Sequence, residues 1–197
     1  MERRDIKITL ARKDTQLKQI LSLQAENLAE AIDSATAAEQ GFVTAKHDLP
    51  LLKAMNAEAA SVIAVYERKV VGYALAMTRT FGQSVPVLTE LFERQDKIEH
   101  RGQLLGESGY LVMGQICVAE AARGQRVPDR MYKYLRTCYY QRFPYLITAI
   151  VAKNTRSLRV HERVGFEELE RFTSADGHDW VLVVWNWRDG MEEVVDR

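Results

Sequence analysis

The sequence predicts a mixed α/β fold, with one central mixed β-sheet of about six or seven strands flanked by helices. Segments of alternating apolar residues, typical of strands, occur between segments whose apolar residues recur at helical spacing. The second half of the chain also contains two consecutive strand–helix–strand units, which indicate a shared sheet. Its 197 residues suffice for one domain with a sizeable core. We therefore expect a single domain over residues 1–197.

The first half of the chain contains the following predicted elements. Alternation predicts a strand over residues 6–10, and leucines and isoleucines at helical spacing predict a helix over 14–38. Asp48 as a cap and Pro50 in the first turn favour a second helix over 47–60. A charged turn at 67–69 between two apolar runs predicts a β-hairpin over 61–80, and an amphipathic helical insertion is predicted over 84–100.

The second half is the more regular part of the sequence. A continuous apolar run predicts a buried central strand over 110–118. There follow a helix over 127–143, a strand over 145–152, a helix over 154–164 and two strands over 166–172 and 180–187. Gly165 stands where a helix commonly ends.

Composition limits the classes of partner. Lys plus Arg and Asp plus Glu number 27 each, so the formal net charge is zero and gives no electrostatic reason to expect binding to nucleic acid or a membrane surface. No apolar run approaches the length of a membrane span, and the N-terminus does not resemble a signal segment, so we expect a cytoplasmic protein. Two cysteines and scattered histidines predict neither a disulfide framework nor a metal site.

The most specific pattern is the run from Asn154 to Phe166. At helical spacing, Asn154, Ser157 and His161 share one face, while three arginines (Arg156, Arg159 and Arg163) lie on the opposite face, usually a solvated one. The run resembles the GNAT superfamily of acetyltransferases, whose members carry Asn-x-x-Ala/Ser, an aromatic residue four positions later and then Gly-Phe. The resemblance covers roughly residues 60 to 190.

A second pattern is the loop between the central strand and the next helix. In the family, Arg/Gln-x-x-Gly-x-Gly/Ala holds the coenzyme A pyrophosphate there. Arg123 and Gly124 match, whereas Arg126 and Pro128 replace the two later small residues. Arg126 either crowds a phosphate or pairs with it, and Pro128 lacks an N–H donor. The acyl-CoA-binding residues that the resemblance implies are Ile116, Cys117, Val118, Arg123, Gly124, Gln125, Arg126, Val127, Pro128, Asn154, Ser157 and His161.

The reaction that the resemblance implies is direct attack of a primary amine on the thioester of acetyl-CoA or another acyl-CoA, without a metal. A backbone N–H within 116–118 would bind the thioester oxygen. His161 occupies the position of the family's proton-donating tyrosine, and we consider it as a general acid, as an orienting donor or as a packed residue lining the site; Tyr132 is a weaker substitute. Glu120 is a candidate base, with a water chain to solvent as the alternative.

The acceptor and the assembly are left open by the sequence. The family's acceptor cleft corresponds to the N-terminal part, about 1–60, and to the loop 174–179, with Gly41-Phe42 and Trp180 as lining candidates; the acyl-CoA-binding core spans about 61–190. The acceptor is either a small-molecule or a peptide amine, and a homodimer is one option. A catalytically degenerate acyl-CoA sensor is the alternative function.

The insertion 84–100 is interpreted as a cover for the sheet, a docking helix or a lid.

Overall fold

The computed structural model describes residues 5–28, 43, 45–82, 86–175 and 177–189. The strands are β1 (Lys7–Leu10), β2 (Val62–Tyr66), β3 (Lys69–Met77), β4 (Glu99–His100), β5 (Gln103–Leu104), β6 (Tyr110–Val118), β7 (Tyr145–Val151), β8 (Glu167–Thr173) and β9 (Asp179–Asn186). The helices are α1 (Asp14–Ala25), α2 (Leu49–Glu58), α3 (Pro86–Lys97), α4 (Leu105–Ser108), α5 (Val127–Tyr139) and α6 (Thr155–Val164). None of these described helices has the length and apolar character needed to span a bilayer.

One mixed sheet organises the described residues. Its strand order is β1-β2-β3-β6-β7-β9-β8, while β4 and β5 form a separate short hairpin. All neighbouring strands in the large sheet are antiparallel except β6 and β7, which are parallel and connected by α5. This confirms the predicted mixed α/β fold with a central mixed sheet of about six or seven strands, and the observed number is seven.

The two faces of the sheet carry separate apolar cores because side chains alternate along each strand. In β3, Tyr73, Leu75 and Met77 face the core shared with α1 and α2. Ala74 and Ala76 face the other core, where α5 packs. Their small side chains let α5 lie close to the sheet.

Three predicted boundaries were wrong. Helix α1 ends at Ala25 rather than at residue 38, because the Asn27 side-chain amide donates to the Leu23 carbonyl and Leu28 forms a parallel bridge with Val43. Residues 29–38 of the predicted helix lie outside the described residues. Helix α5 ends at Tyr139 instead of residue 143. The predicted insertion 84–100 is helical only to Lys97, after which β4 and β5 turn at Arg101 and Gly102, both with positive φ.

Candidate functional site

The site forms where two central strands separate. The ladder between β6 and β7 holds three pairs and ends at Val112 and Ile147, although both strands continue for several residues. At this point β6 also has a bulge, since Gln115 pairs with Leu75 while Met113 pairs with Ala76. The strands therefore diverge into a gap that exposes the β6 backbone on its β7 side.

Two cavities meet at this gap. The larger has a volume of about 580 Å³ and lies between the loop before α5 and the helix α6. The smaller, about 70 Å³, lies between the diverging strands. Both cavities are lined by Val43, Ile116, Asn154, Ser157 and His161.

The loop before α5 directs the N-terminus of that helix toward the larger cavity. Arg126 is the N-cap residue and has a φ of 52°, in the left-handed region that favours glycine. Gly124 also has a positive φ, and Pro128 lies in the first helical turn. A helix N-terminus presents backbone N–H groups and a positive partial charge, so this end of the cavity suits an anion.

Arginines give the larger cavity its charge. Five of them line it: Arg123, Arg126, Arg156, Arg159 and Arg163. Arg163 on α6 makes two hydrogen bonds of 2.9 Å to Asp129 on α5, and this guanidinium lowers the pKa of the Asp129 carboxyl. The three arginines of α6, interpreted from sequence as a solvated face, thus face the cavity at its border, where they favour an anionic ligand.

Burial favours the neutral form of the His161 imidazole, and its two contacts fit one tautomer of that form. Its Nδ1 lies 2.7 Å from the Ser157 carbonyl oxygen, which can only accept, so Nδ1 carries the hydrogen. Its Nε2 lies 2.5 Å from the Tyr132 hydroxyl and therefore accepts the hydroxyl hydrogen. Burial lowers the pKa of His161 to about 4. Both ring nitrogens are thus engaged by protein groups.

Asn154 fixes the start of α6. As the N-cap residue, it accepts a hydrogen bond from the Ser157 N–H through Oδ1, at 3.2 Å. The cap aligns the first turn of α6 so that Asn154, Ser157 and His161 line the junction of the two cavities.

A buried polar network holds β6 at Gln115, which also lines the smaller cavity. Gln115 Oε1 accepts from Gln24 Nε2 at 2.7 Å and from the Tyr73 hydroxyl at 2.6 Å, and its Nε2 donates to the Ala45 carbonyl at 2.7 Å. Gln24 Nε2 also donates to His47 Nδ1 at 2.9 Å, and burial lowers the pKa of His47 to about 4. The network fixes the bulged part of β6 beside the gap.

Ten of the twelve residues predicted to bind acyl-CoA line the larger cavity. Gln125 and Val127 do not, and the Val127 side chain is buried in the core. Glu120 is exposed, in a short 3-10 turn beyond β6, and lines neither cavity. Cys117 lines the larger cavity, and burial raises the pKa of its thiol to about 11.

The acceptor-side candidates are only partly described. Trp180 lines the smaller cavity, where it donates to Ser174 Oγ at 3.0 Å. Gly41 and Phe42 lie outside the described residues. Sequence reasoning missed Asn27 and Val43, which line the larger cavity and carry no motif. Among the residues that the structure describes, no group of three His, Cys, Asp or Glu side chains could hold a metal ion.

The chain has the fold of the GNAT acetyltransferases. One similar structure is a GNAT-family acetyltransferase from Streptococcus agalactiae, with a TM-score of 0.62, 16% identity and coverage of 92% of this chain and 95% of that one. Another is the ribosomal-protein-alanine N-acetyltransferase of Brucella melitensis, with a TM-score of 0.61, 19% identity and coverage of 91% and 99%. A third is a chain of the NatC complex bound to Gag peptide and CoA, with a TM-score of 0.61, 11% identity and coverage of 92% of this chain and 98% of that one. No protein-family model and no curated protein matches the sequence.

Proposed function

We propose that this chain is a GNAT N-acyltransferase that moves an acetyl or related acyl group from acyl-CoA to a primary amine. One observation carries the proposal. The arginine-lined cavity extends from the N-terminus of α5 to the gap between β6 and β7. A ligand that is anionic at one end and extended toward a strand gap fits this shape and charge.

The residues at the α5 end of the larger cavity suit the phosphates of coenzyme A. The backbone around Arg126 and the start of α5 would hold the pyrophosphate, since they combine N–H groups with the helix dipole. The side chains of Arg123 and Arg126 add charge there. The left-handed conformation of Arg126 allows the loop to keep the turn for which the family uses glycine.

The gap supplies the polar groups for acyl transfer. Bound acyl-CoA supplies a thioester that an amine can attack directly. Backbone N–H groups of β6 within 116–118 would bind the thioester oxygen as it gains charge. A free alkylammonium has a pKa of ~10.4, so the attacking amine must lose a proton first. We propose a water chain through the gap for that step, because Glu120 lies away from both cavities.

The acceptor would approach through the smaller cavity beside Trp180. Peptides with a free α-amino group are the first class to test, because two of the similar structures are a ribosomal-protein-alanine acetyltransferase and a peptide-bound complex. Small primary amines are the second class.

The test is thiol release from acetyl-CoA. The purified chain would be incubated with acetyl-CoA and either alanine-led peptides or small amines, and the acetylated product identified by mass spectrometry. Acceptor-dependent release of one thiol per acetylated amine supports the proposal. Binding of acetyl-CoA without release across both classes would favour the catalytically degenerate sensor, for which the departures at Arg126 and Pro128 leave room.

A further inference from the structure

The junction of the two cavities contains three polar side chains among its five shared lining residues. These are Asn154, Ser157 and His161, and the other two, Val43 and Ile116, are apolar. A thioester held at this junction would meet an amine arriving from the smaller cavity. Its sulfur therefore lies within the reach of few side-chain donors.

Two of the three side chains already make hydrogen bonds within the protein. Asn154 caps α6 through Oδ1. His161 donates from Nδ1 to the Ser157 carbonyl and accepts at Nε2 from the Tyr132 hydroxyl. With a pKa of about 4, this imidazole carries no extra proton near neutral pH.

The Ser157 hydroxyl is differently placed. Its Oγ lies 3.4 Å from His161 Nδ1, whose one hydrogen is directed mainly to the Ser157 carbonyl at 2.7 Å, so Oγ cannot donate to this nitrogen and can only share its hydrogen as a second acceptor. A hydroxyl that accepts still has its own hydrogen to donate. Within the described part of the chain, the hydroxyl makes no second hydrogen bond, and Ser157 lines both cavities.

We propose that Ser157 is a catalytic residue whose hydroxyl donates a hydrogen bond to the sulfur of the leaving thiolate, with His161 and Tyr132 as positioning residues. This inference rests on the proposed acyl transfer. The contact from Tyr132 holds His161 in its Nδ1–H form, and that form leaves the Ser157 hydrogen free to face the cavity. In this proposal the Ser157 hydroxyl itself takes part in the reaction.

The chemistry balances without a net change at Ser157. The amine nitrogen forms a bond to the acyl carbon, the carbon–sulfur bond breaks, and its electron pair remains on sulfur. The amine nitrogen loses one proton, and the thiolate finally gains one proton to become the free thiol. Ser157 stabilises the charge on sulfur in between, and hydrogen bonds to charged groups are worth more than those between neutral groups.

The thiol pKa of bound coenzyme A tests this role without any acceptor. The probe is free CoA bound to the full chain, and the thiolate is followed by ultraviolet absorbance as pH rises. A donor facing sulfur favours the thiolate and lowers the thiol pKa of bound CoA below that of free CoA, which is measured in the same buffer. We expect Ser157→Ala to raise the bound thiol pKa by about one unit, equivalent to a ten-fold change in the thiolate equilibrium. Ser108→Ala, in the short helix α4 and outside the linings of both cavities, is the matched control and should leave it unchanged.

A double-mutant cycle tests the two positioning residues. Tyr132→Phe should raise the bound thiol pKa in the unchanged background and have no effect in Ser157→Ala, because its influence passes through the hydroxyl. Equal effects in both backgrounds would overturn the positioning role. An unchanged thiol pKa in Ser157→Ala, with CoA still bound, would overturn the role of Ser157 alone. Failure of the unchanged chain to bind CoA would instead overturn the proposed function.

Discussion

The Tyr132 hydroxyl lies 2.5 Å from Nε2 of His161, and both side chains are almost fully buried. Phe166 packs edge-on against both rings. This pair places a buried imidazole at the position where the sequence motif that the chain resembles has a proton-donating tyrosine. Tyrosine is still present, but it comes from α5 and acts on the histidine instead of on the cavity.

Stability should fall in mild acid because two histidines are buried in the neutral form. The pKa values of His161 and His47 are lowered from 6.5 to about 4. The folded state therefore binds fewer protons than the unfolded state between these values. The contribution of the two histidines to the free energy of unfolding is complete above about pH 6.5. It is lost as the pH drops toward 4, by up to about 1.4 kcal/mol per pH unit for each histidine.

Chemical denaturation from pH 7 to 4.5 measures that slope. His47→Gln and His161→Gln should each reduce that slope, whatever their effect at pH 7, and His100, whose pKa burial also lowers, should account for a further part of it. The exposed His178 provides a control, and His178→Gln should leave the slope unchanged. A slope that is independent of both buried histidines would contradict their neutral state.

Arg126→Gly should stabilise the fold. Arg126 has a φ of 52°, a conformation that costs a non-glycine residue about 1–2 kcal/mol. Glycine removes that cost but adds entropy to the unfolded chain, so we expect a net gain of about 0.5–1 kcal/mol. The midpoint temperature of thermal unfolding should rise by roughly 1–4 °C. Arg126→Ala keeps the Cβ and should show no gain, and an equal gain in both variants would refute the conformational explanation.

Gln115→Leu should destabilise the fold. The change leaves the Gln24 amide, the Tyr73 hydroxyl and the Ala45 carbonyl without their partner in a buried place. Orphaned buried groups cost about 1–3 kcal/mol each, and partial rearrangement should leave a net loss of about 2–3 kcal/mol by urea denaturation. The exposed Gln141→Leu is the control and should lie within about 0.5 kcal/mol of the unchanged chain. If Gln115→Leu leaves the free energy of unfolding unchanged, the network does not stabilise the fold.

The arginines of α6 should contribute to coenzyme A affinity. Arg156→Gln and Arg159→Gln each remove one charge from the cavity lining, and we expect Kd for CoA to rise about five-fold for each in low salt. The loss should shrink at high salt because such charges are screened. Calorimetric titration measures both effects. Arg171→Gln, whose side chain pairs with Glu168 away from the cavity, should not change Kd.

Sequence patterns predicted the sheet and most of the site because both depend on local features. The continuous apolar run of β6 and the cap-to-glycine pattern of α6 gave those elements within one residue of their observed bounds. Arg123 and Ser157, which the resemblance implied as cofactor-binding residues, both line the larger cavity, and their role in binding stays a prediction.

The missed features arise from contacts between distant segments. Gln24 and Gln115 are 91 residues apart and meet only after α1 packs on β3 and the bulge turns Gln115 toward it. Asn27 reaches the cavity through a similar long-range contact with Arg123, at 3.3 Å. No spacing rule within one element signals such pairs.

Thermal unfolding with excess acetyl-CoA tests the central claim most directly, with adenosine diphosphate as the control ligand. A ligand present at ~100 times its Kd adds about 2.7 kcal/mol to the free energy of unfolding. For a chain of this size we predict a rise of roughly 5–10 °C in the midpoint with acetyl-CoA and little change with the control. An unchanged midpoint at millimolar acetyl-CoA would mean that the arginine-lined cavity does not bind the acyl donor, and the acyltransferase account would then be contradicted.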